Sequence, residues 1–179
     1  MKKFILSVLA LVFVGTSASM AQTAADHLAE LQKVAAKTLK QTKKAPAAIG
    51  AGGIDGFVLG IFNLAVGTSA LTEQLDGFYS RSIGQTIDGI TDVTIKKPTL
   101  PECIVLSKTL IDNGLAIADM VKAADSAAKE AKEINNPAQA AKAAKAVASA
   151  VALSTIIVEE SAVQVKLIDE MVKSAKAGL

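Results

Sequence analysis

Few side chains in this sequence have the types and spacing that acid–base or metal chemistry requires. His27 is the single histidine, and the best carboxylate clusters are the adjacent Glu159 and Glu160 and the pair Asp88 and Asp92. The i, i+4 spacing of the second pair would place both carboxylates on one helix face. No Glu-x-x-His motif accompanies either pair, and His27 lies on the polar side of its segment without a recognisable nucleophile. We therefore expect solvated side chains at all these positions and predict a protein that is not an enzyme, without catalytic residues, metal site or cofactor.

Cys103 is the only cysteine. A lone cysteine excludes an intramolecular disulfide and a cysteine-based metal cluster. In an oxidising compartment such a thiol is either buried or forms a disulfide between two chains. We expect burial, with an inter-chain disulfide at Cys103 as the alternative.

Glycines recur in the apolar segment that follows Pro46. Gly53, Gly60 and Gly67 are each seven residues apart, and Gly56 forms a GxxxG motif with Gly60. The segment has no preceding strand and no Gly-Lys-Ser/Thr ending, so it does not predict a phosphate-binding loop. A glycine stripe allows another helix to approach closely, in a core or in a membrane. The candidates for close helix packing or membrane contact are Gly53, Gly56, Phe57, Gly60, Phe62 and Gly67.

The length of the charge-free run from Gly56 to Thr72 helps to decide between a core helix and a membrane helix. A bilayer span needs about 20 apolar residues, and this run lies at the lower limit. Burial of its large apolar side chains contributes roughly 10–20 kcal/mol, which exceeds the roughly 3 kcal/mol that three glycines cost inside a helix. We therefore expect the segment to be a core helix.

Helical periodicity runs through most of the chain. Apolar residues recur on one face from Ala24 to Lys44, which predicts a first helix. A second helical region is expected to begin at Asp55 as its N-cap, run to about Leu71, and restart over Thr72–Ile90. The proline-containing segment 92–101 is predicted to be a linker.

Two long helices are expected to follow. Apolar residues recur at alternating spacings of three and four over 101–134, a heptad seam that includes Asn113. We expect Asn113 to fix the helix register rather than to bind a ligand. Asn136 and Pro137 then break the chain and restart a helix that runs to about Lys176. Because a short turn between two long helices makes them antiparallel, we predict an all-α bundle of about four to five helices with a long antiparallel C-terminal hairpin.

The last predicted helix carries no charge between Lys145 and Glu159. A helix that is apolar on all sides is either central in a bundle or surrounded by lipid, and this run is too short to span a bilayer. We expect a central helix whose buried seam includes Val147, Val151 and Ser154.

The N-terminal residues have the pattern of a secretory signal peptide. Two lysines precede the apolar segment 4–14, and residues 19–21 end with small side chains at the positions that signal peptidase reads. We expect cleavage of residues 1–21, a mature single domain over 22–179, and export to the periplasm or outside the cell. Without the two leader lysines, 17 of the 19 basic residues remain and equal the 17 acidic ones in number, so charge does not favour nucleic-acid binding.

Compartment and architecture favour a non-enzymatic structural or protein-interaction role in the bacterial envelope or outside the cell. The partner would be an unknown protein or a second copy of the chain. One alternative is a membrane-active protein, pore-forming or inserting, whose Gly56–Leu71 segment leaves the bundle. Another alternative is a carrier that holds an apolar ligand between its helices.

Overall fold

A computed structural model describes residues 24–83 and 96–177. Within these ranges the chain forms helices and no strands, so the prediction of an all-α bundle is confirmed. The five helices are α1 Ala24–Thr42, α2 Gly52–Ile83, α3 Leu100–Lys122, α4 Ala124–Glu133 and α5 Pro137–Ala177.

Side-chain caps begin α3 and α5. At α3, Thr99 Oγ1 accepts a hydrogen bond from Glu102 N at 3.4 Å, and Glu102 Oε2 accepts one from Thr99 N at 2.7 Å. At α5, Asn136 Oδ1 accepts hydrogen bonds from the N–H groups of the second and third helical residues, at 3.0 and 3.1 Å. The side chain of Gln139 does not return to Asn136 but donates to Ile49 O at 3.0 Å. The loop before α2 is therefore tied to the first turn of α5.

α2 is one helix of 32 residues, so the predicted restart at Thr72 is wrong. Its buried face continues through that point, because Ala65, Thr68, Thr72 and Leu75 follow one another at spacings of three and four and are all buried. A threonine inside a helix satisfies its hydroxyl with a carbonyl or a neighbouring side chain, which removes the need for a break.

The first turn of α2 also differs from the prediction. The helix begins at Gly52, so Asp55 lies inside it and is not the N-cap. The Asp55 carboxylate instead accepts hydrogen bonds from Ile49 N at 2.7 Å and Gly50 N at 2.9 Å. Gly50 has a φ of +84°, a left-handed conformation that glycine adopts without steric cost. Asp55 therefore fixes the loop that leads into the helix.

Two helices, α3 and α4, share the predicted 101–134 seam. Ala123 separates them, and its N–H bonds to Met120 O at 3.0 Å, a contact that tightens the last turn of α3. The buried seam nevertheless continues past this point, since Ala127 and Ala131 of α4 are both buried. The apolar spacing predicted the buried face correctly but not the break at Ala123.

The core consists of two apolar clusters, one toward each end of the bundle. The first cluster joins the early part of α2, the end of α3, α4 and the first half of α5, with Ile54, Phe57, Ile61, Ile117, Val121, Ala127, Val147, Leu153 and Ile157 among its members. The second cluster joins α1, the later part of α2, the beginning of α3 and the second half of α5, with Leu31, Leu75, Leu106, Leu110, Val163, Leu167, Ile168 and Met171 among its members. Each cluster pairs one half of α3 with the opposite half of α5, as expected of helices that run in opposite directions.

α5 contacts each of the other four helices. Of its expected seam residues, Val147 and Ser154 are buried, but Val151 is 38% exposed. Ala150 and Leu153 are buried instead, because neighbouring helices cover α5 on several sides and the buried strip does not follow one heptad.

Candidate functional site

A band of polar side chains lies between the two apolar clusters. Each of α1, α2, α3 and α5 contributes to it, and only one member has an ionisable side chain. We call this band the polar layer; it consists of Thr38, Thr68, Thr72, Asn113, Glu160 and Gln164. All of these except the half-buried Asn113 are buried.

Glu160 is the centre of the polar layer and is 0% exposed, so the prediction of a solvated carboxylate is wrong here. Thr38 Oγ1 donates a hydrogen bond to Glu160 Oε2, and Thr72 Oγ1 donates one to Oε1 at 2.6 Å. Burial raises the pKa of Glu160, and the two threonine hydroxyls oppose that rise. The neighbouring Glu159 is exposed as predicted, with an oxygen 3.8 Å from Lys37 Nζ.

Gln164 extends the layer by one helical turn. Its Nε2 donates to Thr72 Oγ1 and to Thr68 O, both at 2.8 Å. Asn113 Nδ2 donates to Thr68 Oγ1 at 3.0 Å, which links α3 to α2. These bonds form only when the helices have one axial alignment, so the layer fixes their register. Gln164 Oε1 is buried and has no hydrogen-bond partner among the described residues.

The sequence contained a weak signal for these inward-facing residues. Glu160 follows Ile157 by three residues and precedes Gln164 by four and Leu167 by seven, and all four are 0% exposed. That spacing places them on one face of α5. An acidic residue is seldom buried without a cation, so a reader of the sequence assigns Glu160 to solvent.

His27 also lies inward, contrary to the prediction. It is 7% exposed, and it precedes Leu31, a fully buried residue, by one turn of α1. Its Nδ1 lies 4.0 Å from Glu30 Oε2 and has no hydrogen-bond partner among the described residues. Asp88 and Asp92, the other candidate carboxylates, lie outside the described residues. No three His, Cys, Asp or Glu side chains within 24–83 and 96–177 are arranged to hold a metal ion.

The candidate glycines of α2 fall into two groups. A methyl group added at Gly60 would lie 2.5 Å from Met120 Cε, and one added at Gly53 would lie 2.0 Å from Glu130 Oε2. Among the described residues, nothing lies within 4 Å of a methyl group added at Gly56 or Gly67. Two glycines therefore face close neighbours on α3 and α4, and two face a side of α2 that no described helix covers.

The aromatic candidates differ in the same way. Phe57 is 2% exposed and belongs to the first cluster, whereas Phe62 is half-buried. Leu59 and Val66, which were not among the candidates, are 49% and 47% exposed. α2 thus buries one apolar face and leaves a second face, without charge from Gly56 to Thr72, on the surface.

Within residues 24–83 and 96–177, two helices are long and apolar enough to cross a membrane, on the criteria of length and composition. They span residues 52–82 and 137–176, and 39% and 44% of their most apolar stretches are buried in the bundle. The core helix of a soluble protein meets the same criteria, so this finding alone does not establish a membrane protein.

Cys103 is 2% exposed in the first turn of α3. Burial raises the pKa of its thiol, and the nearby Glu102 raises it further. A buried, protonated thiol reacts slowly. An inter-chain disulfide at Cys103 therefore requires that this end of the bundle opens first.

A cleft of about 1000 Å³ lies beside Cys103, at the end of the bundle where α1 begins and α5 ends. Its floor contains the buried side chains of Tyr79, Cys103 and Met171. Lys97 and Glu170 supply the charged groups among its lining residues.

No family model, curated protein or solved structure matches this chain.

Proposed function

We propose that this protein is an exported, non-enzymatic helical bundle that binds another protein through the outer face of α3. The observation that supports this proposal is a set of large apolar side chains on that face. Ile104, Ile111 and Leu115 are 51%, 39% and 51% exposed. Their spacings of seven and four residues place them on one side of the helix, which we call the outer face of α3.

The opposite side of α3 already fills the core with Leu106, Leu110 and Ile117. The outer apolar residues are therefore not needed for the fold of a single chain. Clustered apolar side chains on a soluble surface mark sites of protein contact. Full burial of one such side chain contributes about 1.5–3 kcal/mol, so a half-exposed residue has roughly 1 kcal/mol left to contribute to binding.

Photo-crosslinking in the producing cell tests the binding surface. A photoreactive residue at position 111 or 115 is expected to yield one discrete adduct with another protein, and an adduct of two copies of this chain would show self-association instead. The matched control is position 109, since Thr109 is exposed on a different side of α3. Leu115→Glu should weaken the interaction about tenfold or more, because it removes roughly 1 kcal/mol and adds a charge that must be desolvated. Equal adducts at all three positions, or none at any, would contradict the proposal.

Export is tested separately by the mass of the protein in the periplasm or medium. Cleavage of the predicted leader gives a chain that begins at Gln22. A full-length chain that remains in the cytoplasm would contradict the proposal that the protein is exported. The proposal that α3 binds another protein would not be affected by that result.

Membrane activity is the second candidate function, supported by the charge-free outer face of α2 around Leu59 and Val66. The test is dye leakage from vesicles of phosphatidylethanolamine and phosphatidylglycerol. Insertion predicts leakage, because the exposed apolar side chains of α2 would enter the bilayer. Val66→Lys should abolish that leakage, and Leu115→Lys on α3 should not. Absence of leakage would exclude this candidate.

A further inference from the structure

We propose that the cleft at the α1 and α5 end of the bundle binds a small amphipathic molecule with an apolar body and one carboxylate head group. This proposal does not depend on the protein-binding role of α3, because Ile104, Ile111 and Leu115 do not line the cleft. Small-molecule sites typically enclose about 300–1,000 Å³, and this cleft, at about 1000 Å³, can accept an alkyl chain.

The floor of the cleft defines the apolar part of the ligand. Tyr79, Cys103 and Met171 are at most 8% exposed, and Leu100 and Pro101 extend the apolar lining at the start of α3. Methionine and aromatic side chains adapt to flexible alkyl groups. An apolar chain placed here would cover carbon and sulfur atoms of the second cluster.

Charge at the mouth of the cleft defines the head group. Lys97 is exposed and forms no ion pair with the described residues, so its ammonium group can bind an anion. The anionic lining residue, Glu170, already binds Lys173, with 2.9 Å between Oε1 and Nζ. Arg81 and Lys96 act on the carboxylate of Glu102 beside the cleft, which offsets part of their positive charge, so Lys97 is the main cation that remains for a ligand. The groups that remain for a ligand therefore favour a negative head.

The protein carries two natural reporters of this site. Tyr79 is the single tyrosine in a chain without tryptophan, and Cys103 is the single cysteine, so each gives one signal. Both line the cleft. Tyrosine emission therefore reports on this cleft directly, and the rate of thiol labelling reports on how often this end of the bundle opens, which a bound ligand would reduce.

The experiment titrates the purified protein with dodecanoate below its micelle concentration, with dodecanol and acetate as comparison ligands. We expect a saturable change in Tyr79 emission with dodecanoate, weaker binding of dodecanol, and no response to acetate. Saturating dodecanoate should slow Cys103 labelling at least about fivefold. Lys97→Gln should weaken dodecanoate binding about tenfold and leave dodecanol binding unchanged, with Lys108→Gln on α3 as the matched control.

Three results would overturn the proposal. Emission that rises without saturation, or labelling that dodecanoate does not slow, would show that the cleft is not a binding site. Equal affinities for dodecanoate and dodecanol in the wild type and in Lys97→Gln would refute the anionic head group. Loss of dodecanoate binding in Leu115→Glu would place the ligand on the outer face of α3 instead. The same variant is tested by crosslinking for its effect on protein binding. The two proposals can therefore fail independently of each other.

Discussion

Replacement of Glu160 by glutamine should stabilise this bundle at neutral and alkaline pH. Glutamine has nearly the same shape, and its amide can keep a hydrogen bond to each of the two threonines. Thr72 Oγ1 can still donate to the amide oxygen. Thr38 Oγ1 can accept from the amide nitrogen if the Thr38 hydroxyl donates its own proton to a carbonyl of α1. The substitution therefore removes the buried charge and adds one amide N–H that the two threonines do not satisfy.

The magnitude follows from two opposing contributions. An ion buried in a protein interior loses several kcal/mol of hydration free energy, and no cation of the described chain contributes to the pKa of Glu160. Two hydrogen bonds to the carboxylate return about 1.5–3 kcal/mol each. These two contributions are of similar size, so the expected net gain from Glu160→Gln is on the order of 1 kcal/mol. In a chain of this size, 1 kcal/mol corresponds to about 2–4 °C in Tm.

The pH dependence has a definite sign. Because burial raises the folded-state pKa of Glu160 above its ordinary value of 4.5, the folded protein holds this proton more tightly than the unfolded chain does. The stability that comes from the neutral carboxyl group is complete below the unfolded pKa and is lost as the pH rises through the folded pKa. Glu160→Gln should thus match the wild type near pH 4 and exceed it at pH 8.

Thermal and urea unfolding at pH 4 and pH 8 provide the measurement. Glu159→Gln is the matched control, because Glu159 is the adjacent residue and its side chain is 50% exposed. An exposed ion pair with Lys37 contributes at most about 1 kcal/mol, so the control should change little at either pH. A Glu160→Gln protein that is less stable than the wild type at pH 8, or that has the same pH dependence, would refute the reasoning.

Three further predictions concern packing. Gly56→Ala and Gly67→Ala should each raise the free energy of unfolding by about 0.5–1 kcal/mol, since both methyl groups meet open space. Gly60→Leu must displace the side chain of Met120, which offsets its gain in helix propensity, so in urea titrations it should be less stable than both alanine variants. Ile117→Asp should lower the free energy of unfolding by several kcal/mol, because Ile117 is 1% exposed and the new charge would be buried. Lys122→Asp, at an exposed position of the same helix, should lower it little. Equal effects of the two substitutions in the same titrations would contradict this assignment of buried and exposed faces. Cys103 should react slowly with a thiol reagent until denaturant is added, and a reducible dimer of the native protein on a non-reducing gel would be the opposite result.

The sequence predicted those parts of the fold that depend on local signals. Asn136 and Pro137 marked the start of α5, because an N-cap side chain and a proline at the first helical position act within one turn. The heptad seam also identified the inner side of α3. Periodicity is a reliable guide where one face is apolar and the other is charged.

The candidate site could not be predicted in this way. Glu159 and Glu160 are adjacent acids, and only the positions of α1 and α2 decide that the second one is buried. The same holds for Val151, which has the side chain of a core residue but faces solvent. Where a helix is apolar around most of its circumference, the packing of the neighbouring helices determines which face is buried. The local sequence of such a helix therefore does not predict its buried face.

The polar layer also limits which helix could leave the bundle for a lipid phase. α5 carries Glu160 and Gln164, whose carboxyl and amide groups would enter hydrocarbon without partners at a large cost. α2 contributes Thr68 and Thr72; Thr68 already donates to Leu64 O of its own helix at 2.8 Å, and Thr72 can do the same in lipid. The departure of α2 would nevertheless remove one of the two donors to Glu160 and both acceptors of Gln164. The layer that sets the helix register is therefore also the main polar restraint that keeps α2 in the folded bundle.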